Sequence, residues 1–153
     1  MNPFFEHKVI VITGASSGIG KALAEAIATK GTQLVLAARR LEVLEGTKAI
    51  CEAKGAICHN LFIDVANHDS ILEFANTLKV RFNQIDVLIN NAGISQRSQA
   101  EETSIEVDRR IMEVNFFGQV ALTKALWPMH VAAPRANIVI ISSVVGTFGF
   151  PQR

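Results

Sequence analysis

The chain has 153 residues, the size of one ordinary domain, and at that length folding buries roughly 68 to 70% of the surface that the unfolded chain exposes. Hydrophobic residues make up 49% and charged residues 19%, which excludes a disordered or fibrous chain. The 15 basic and 14 acidic side chains leave a net charge of +1, with no electrostatic footprint for nucleic acid. No apolar run reaches the roughly 20 residues of a membrane helix, and residues 1–6 lack the basic start and apolar stretch of a signal peptide. A single cytoplasmic domain over residues 1–153, with no membrane segment, is the expectation.

Along the chain, short β-branched runs alternate with stretches of helical periodicity, the pattern of βαβ units and a parallel sheet. The first strand is expected at residues 8–13, nearly all Val and Ile, as in a strand buried on both faces. A helix over 18–30 follows, with Ile19, Leu23, Ala26 and Ile27 as its apolar stripe and Gly31 as its stop. The second strand falls at 33–38, a second helix at 41–54 closed by Gly55, and the third strand at 57–63. Asn67 or Asp69 caps a helix to about residue 82, on which Ile71, Phe74, Ala75 and Leu78 repeat at helical spacing. The fourth strand is expected at 85–90, then a polar stretch at 95–102 and one long helix at about 104–130, ending near Pro128 and Pro134. The fifth strand covers 137–142, and residues 143–153 hold no further helix or strand. Right-handed crossovers give the order 3-2-1-4-5, an α/β fold of the Rossmann type with a doubly wound parallel sheet.

Thr13-Gly14-Ala15-Ser16-Ser17-Gly18-Ile19-Gly20 lies between the first strand and the first helix. Glycines there permit a tight turn and a close backbone approach, and the free amides and dipole of the helix start attract a pyrophosphate, with the Ser16 and Ser17 hydroxyls as further donors. The spacing, G-x3-G-x-G, departs from the usual G-x-G-x-x-G, and its place between strand and helix carries the reading. Nineteen residues after Gly20 come Arg39 and Arg40, where an NAD-binding protein places an acid for the ribose hydroxyls. Ala38 stands in the acid's place, and a guanidinium suits a ribose 2′-phosphate, so NADP (as NADPH) is favoured over NAD. The competing reading of the pair is two solvated arginines ahead of a helix.

Cys51 and Cys58, spaced C-x6-C, are too few for a disulfide scaffold, fit no zinc motif and read as ordinary thiols. His7, His59, His68 and His130 show no metal-ligand spacing and read as surface or packing residues, so no metal is expected.

The glycine motif, Asp64-Val65 after the third strand, Asn90-Asn91-Ala92-Gly93 after the fourth, Asn115 in the long helix and Ser142-Ser143 after the fifth together resemble the short-chain dehydrogenase/reductase family, from about residue 7 onward. Within it, residues 90–98 read most like the membrane-associated or lipid-acting dehydrogenase/reductase member 7 group. The resemblance implies hydride transfer between a nicotinamide and a small-molecule carbonyl or alcohol. It implies that Asp64 meets the adenine amino group with Val65 beside the ring, and that Asn91, Ala92 and Gly93 line the cofactor and support the sheet. Asn115 is implied to kink its helix and hold a water of the proton relay, and Ser143 to orient the substrate. From the residues alone, Asp64 reads equally as a turn or cap aspartate, Asn115 as a satisfied core residue, and Ser142 as the alternative to Ser143.

The chain contains no tyrosine, whereas the family's acid/base is a tyrosine in Tyr-x-x-x-Lys, expected by the family's spacing just after Arg153. The expectation is a chain truncated before that motif, lacking the sheet's later strands and inactive alone. A non-catalytic dinucleotide-binding or interaction module is the alternative. Without a further neighbour, the apolar fifth strand is an open edge. It should self-associate, or be covered by residues 143–153.

Overall fold

A computed structural model of the chain describes residues 3–149. Five strands, β1 (Val9–Thr13), β2 (Gln33–Ala38), β3 (Ile57–Phe62), β4 (Val87–Asn90) and β5 (Asn137–Ile140), form one wholly parallel sheet in the order β3-β2-β1-β4-β5. The expected order is the observed one. The connecting helices are α1 (Gly18–Ile27), α2 (Leu41–Glu52), α3 (His68–Arg81), α4 (Ile105–Met112) and α5 (Gly118–Val131). After β3 the chain crosses back to the far side of β1. The turns that follow β1 and β4 therefore diverge, and a crevice opens between them at the carboxyl ends of the strands.

Alternation along the strands sorts the core into two layers. Ile10 and Ile12 of β1 face α1 and α2, packing with Ala24, Leu44, Leu34 and Leu36. Val11 faces the opposite side, with Ile71, Phe74 and Leu78 of α3 and Leu122, Leu126 and Met129 of α5. Each fully buried Leu or Ile stabilises the fold by about 1.5–3 kcal/mol. At the amino ends of the strands, buried Asp86 joins three of them. Its Oδ2 accepts the Val9 amide at 2.9 Å, its own amide donates to the Val9 carbonyl at 2.9 Å, and its carbonyl accepts from Asn137 at 2.8 Å.

Three expectations are corrected. The buried row of α1 is Gly20 and Ala24, followed by Ala28, with Leu23 and Ile27 half-buried. Ile19 is 60% exposed and Ala26 lies outside. Small residues four apart let α1 lie close on the sheet, and Ile19 is thereby turned towards the crevice. The long helix is interrupted by a π-helical turn at Glu113–Phe117, where the Gly118 amide donates to the Glu113 carbonyl five residues back. As expected, the helix runs past Pro128 and ends within a residue of His130, at Val131. Pro128 and Lys124, whose carbonyl loses that donor, both stand on the exposed face. Lastly, the described residues after β5 make one 3-10 turn, Val144–Gly146, and do not cover the edge: among the described residues Ile138, Val139 and Ile140 remain 38%, 39% and 62% exposed, and Val144 and Phe148 are exposed too. Residues 150–153 lie outside the described residues.

Two histidines are held in environments that disfavour their charged form. Burial lowers the His59 imidazole below its ordinary value, with Arg81 and Lys48 adding to the effect, while its Nε2 lies 2.9 Å from Gln33 Oε1. Burial also lowers His130, outweighing the pull of the Ile85 backbone and of Asp86; among the described residues neither ring nitrogen reaches full hydrogen-bond geometry. Because the unfolded chain takes up these protons first, the stability they contribute is complete above about pH 6.5 and falls as the pH drops below it, by up to about 1.4 kcal/mol per pH unit for each ring. Urea denaturation at pH 7.5 and pH 5.5 should show the lower midpoint at pH 5.5. The difference should shrink in His130→Leu, and an unchanged difference would remove His130 as a cause.

Candidate functional site

The crevice forms a cavity of about 510 Å³ lined by Gly14, Ser16, Ser17, Gly18, Ile19, Ala38, Arg39, Arg40, Asp64, Val65, Asn91, Ala92 and Gly93, with Ile63, Ile94, Val114 and Ile141 completing its walls. Every residue expected at a dinucleotide lines it except Gly20. That glycine is buried beneath the turn, where a Cβ would run into the Gly14 carbonyl and the Asn91 side-chain amide. Its role is close packing and not contact with a ligand. Gly14 and Gly18 adopt φ of +68° and +55°, conformations that glycine takes without steric cost.

At the start of α1, the first amides have no intrahelical acceptor, and the Ser17 side chain caps none of them. Among the described residues, the hydroxyls of Ser16 and Ser17 also have no protein partner. This end of the cavity is rich in free donors, an arrangement suited to an anion. The turn is held from below, where the Ala15 amide donates to Ala37 at 3.3 Å and the Thr47 hydroxyl donates to the Ala15 carbonyl at 3.2 Å. Arg39 and Arg40 stand on the neighbouring wall, at the carboxyl end of β2, and among the described residues neither guanidinium has a hydrogen-bond or ion-pair partner.

Asp64 lies past β3, a turn residue that also borders the cavity. Its Oδ1 accepts the Ala66 amide at 3.0 Å, the bond of a turn aspartate, while its carboxylate borders the cavity. Arg110 of α4 approaches Oδ2 at 3.7 Å, and the Asp64 amide donates to Ser70 at 2.9 Å. Asn91 faces inward, its amide nitrogen donating to the carbonyls of Thr13 at 2.9 Å and Gly14 at 3.4 Å. The Thr13 hydroxyl accepts the amides of Asn91 and Ala92, each at 3.0 Å.

Asn115 is exposed, and so it is no core residue, yet its side chain is fully engaged. Oδ1 accepts the Ile94 amide and Nδ2 donates to the Ile94 carbonyl, both at 2.8 Å. It lies within the π turn. Asn115, Gln119, Ser142 and Ser143 line a second cavity of about 310 Å³ that shares Asn91, Ala92, Gly93 and Ile141 with the first. Ser143 Oγ accepts the Val145 amide at 3.3 Å, and among the described residues its own O–H has no acceptor. The two cavities thus join a donor-rich cleft to a chamber containing an exposed serine.

Sequence reasoning missed Thr13, Thr47, Arg110 and Gly118. Gly118 follows the π turn, and a Cβ there would collide with the Val65 carbonyl. The one signal for it was a glycine inside a helical pattern. Among the described residues no three His, Cys, Asp or Glu side chains gather as for a metal, and no helix is long and apolar enough to cross a membrane.

The "short chain dehydrogenase" family model matches residues 8–153. A Drosophila melanogaster protein, "Dehydrogenase/reductase SDR family protein 7-like", is 45% identical over 150 residues, covering 95% of this chain and 46% of that protein. An alcohol dehydrogenase from the archaeon Thermococcus sibiricus, complexed with 5-hydroxy-NADP, superposes with a TM-score of 0.88 at 33% identity, over 95% of this chain and 62% of that one. A xylitol dehydrogenase with bound NAD+ gives a TM-score of 0.89 at 28% identity, over 97% of this chain and 57% of that one. The chain spans about half the length of the curated relatives it matches.

Two glycine variants separate close packing from helix propensity. Gly118→Ala should lose about 1–3 kcal/mol of stability, because the added methyl must displace the Val65 carbonyl and with it the cavity wall. Gly46→Ala, in α2 with no atom within 4 Å of the new methyl, should gain about 1 kcal/mol. Denaturant midpoints of the two variants check this, and a neutral Gly118→Ala would show that the contact with Val65 yields without cost.

Proposed function

The chain belongs to the short-chain dehydrogenase family, and we propose that it supplies the dinucleotide-binding half of an NADP-dependent oxidoreductase interconverting a small-molecule carbonyl and an alcohol. The observation that carries the cofactor preference is the wall after β2. Two unpaired guanidinium groups, Arg39 and Arg40, border the cavity beside Ala38, and no carboxylate stands where a ribose diol needs an acceptor. The matched structures hold both an NADP derivative and NAD+, so the shared fold does not choose between them. Arg can offer a planar pair of donors to a 2′-phosphate.

The other residues fit the rest of such a ligand. Gly14, Gly18 and Ile19, with the Ser16 and Ser17 hydroxyls, present amides and donors for a pyrophosphate, while Gly20 lets the helix come near enough to do so. The Asp64 carboxylate can accept from the adenine amino group, with Val65 against the ring. Asn91, Ala92 and Gly93 continue the floor into the second cavity. When bound, the nicotinamide would give or take the hydride. There the Ser143 O–H would donate to the substrate oxygen and fix the carbonyl's orientation. Asn115, through its paired bonds to Ile94, would hold the π turn that shapes this chamber and leave backbone carbonyls free to hold a relay water. These 153 residues contain no tyrosine, so the group that would pass the proton in this chemistry is not among them. On this reading the chain binds the dinucleotide without turning it over.

The same proposal includes self-association through β5, whose outer backbone groups and apolar side chains lie open. Sedimentation over a range of concentrations should reveal dimers, and Val139→Lys should shift them to monomer. A monomer at every concentration would remove this part.

Calorimetric titration of the folded chain tests the cofactor. NADPH should bind about tenfold or more tightly than NADH, a difference of about 1.4 kcal/mol. Arg39→Asp should reverse the preference. Tighter NADH binding by the unaltered chain would overturn the NADP assignment, and binding of neither nucleotide would overturn the site.

A further inference from the structure

Arg110 lies outside both cavities, yet it faces one of their acceptors. A guanidinium nitrogen stands 3.7 Å from Asp64 Oδ2, and among the described residues this is the one ion pair in which α4 takes part. α4 buries none of its side chains, so core packing does not place it. Its hold on the cavity comes through specific contacts instead. The helical stretch from α4 through the π turn to α5 meets the cavity lining at four points in order. Arg110 faces the Asp64 carboxylate, Val114 forms part of the wall, Asn115 grips both backbone groups of Ile94, and Gly118 lies against the Val65 carbonyl. Asp64 and Val65 are thus approached from one helical stretch, at the side chain by Arg110 and at the backbone by Gly118.

A carboxylate offers about four lone-pair positions. The Ala66 amide takes one on Oδ1 and Arg110 faces Oδ2, while the group still borders the cavity with acceptor capacity to spare. Held at one oxygen only, a carboxylate swings about its Cβ–Cγ bond. Held at both, it must give up a contact to swing. The guanidinium therefore fixes which way the remaining lone pairs point, and it does so without occupying the cavity.

We propose that Arg110 is a positioning residue for base recognition. It holds the Asp64 carboxylate with an oxygen towards the 6-amino group of the dinucleotide's adenine, and so sets how well the site tells adenine from a base without that donor. This rests on the reading of Asp64 as the adenine acceptor. The role belongs to the orientation of Asp64 and not to folding, because α4 has no buried side chain to lose.

The test is calorimetric titration of the full chain with NADPH and with its hypoxanthine counterpart, in which a 6-oxo group replaces the 6-amino donor and presents the carboxylate with an acceptor. The unaltered chain should prefer NADPH by about tenfold or more, the size of a hydrogen bond to a charged acceptor. In Arg110→Met, which keeps a long helix-forming side chain without the charge, that preference should fall about threefold, the scale of one exposed ion pair. Arg110→Lys should recover part of it. In Asp64→Ala the preference should vanish, and adding Arg110→Met should change it no further. A ratio of two ligands on one chain is unmoved by a general loss of stability or of attraction for phosphates, which shifts both affinities together. An undiminished preference in Arg110→Met would overturn the positioning role and leave Asp64 as the acceptor. Equal affinity of the unaltered chain for the two nucleotides would overturn the reading of Asp64, and the positioning role with it.

Discussion

One junction between two strand ends positions everything else in the site. β1 and β4 are neighbours in the sheet, but their pairing ends at Ile12 and Ile89 and leaves the turns beyond them unguided. Thr13 and Asn91 supply the guidance. One hydroxyl accepts two consecutive amides, Asn91 and Ala92, and the Asn91 side chain returns a donor to the carbonyls of Thr13 and Gly14. Breaking any of these bonds leaves a half-buried amide or carbonyl without a partner, at a cost of about 1–3 kcal/mol. Rigidity at the mouth of the crevice follows from that cost. The turn carrying Gly14 to Gly18 and the floor carrying Asn91 to Gly93 hold a fixed separation because they share these bonds.

Glycine then sets distances. Gly20 brings α1 down onto the Gly14 carbonyl and the Asn91 amide, and Gly118 brings α5 onto the Val65 carbonyl. These contacts set two helices of opposite layers against the cavity, α1 at the turn after β1 and α5 at the segment after β3. Asn115 adds the third tie. It grips both backbone groups of Ile94 from the middle of the π turn, so the extra residue in that turn is stabilised by the loop that follows β4. π turns within helices are often found at functional sites, and here the turn faces the chamber that holds Ser143.

The sheet was legible in the sequence because its signals are local and strong. Buried parallel strands read as unbroken Val and Ile runs, and capping by Asn67 was visible as chemistry, confirmed by its side chain accepting the Ser70 amide. The glycine motif was legible from its place between a strand and a helix, whereas Arg39, Arg40 and Asp64 kept competing readings as solvated or turn residues until the fold brought them to one cavity. What stayed hidden depended on partners far along the chain. The hydroxyl of Thr13 looks like any strand threonine until Asn91 arrives, and Gly118 looks like a weak point in a helix until Val65 packs against it. Ile19 shows the limit of periodicity, since an apolar residue at helical spacing lines the cavity and not the core. Cys51 and Cys58 fit no motif, and the fold buries both in one apolar cluster.

The net charge of +1 conceals an uneven distribution around the crevice. Along the strand order its edge carries Asp64 after β3, the guanidinium groups of Arg39 and Arg40 after β2 and the free amides of α1 after β1. The Asp64 carboxylate would repel an anion in the same cavity. Its oxygens are already engaged, Oδ1 by the Ala66 amide at 3.0 Å and Oδ2 by Arg110 at 3.7 Å. The ion pair is exposed, so it contributes little to stability. Its consequence is electrostatic: it offsets the field of Asp64 on the neighbouring guanidinium groups while leaving the carboxylate at the cavity wall as an acceptor. Donors and cations thus occupy two adjacent strand ends and the acceptor occupies the third, a distribution that cancels in the overall charge.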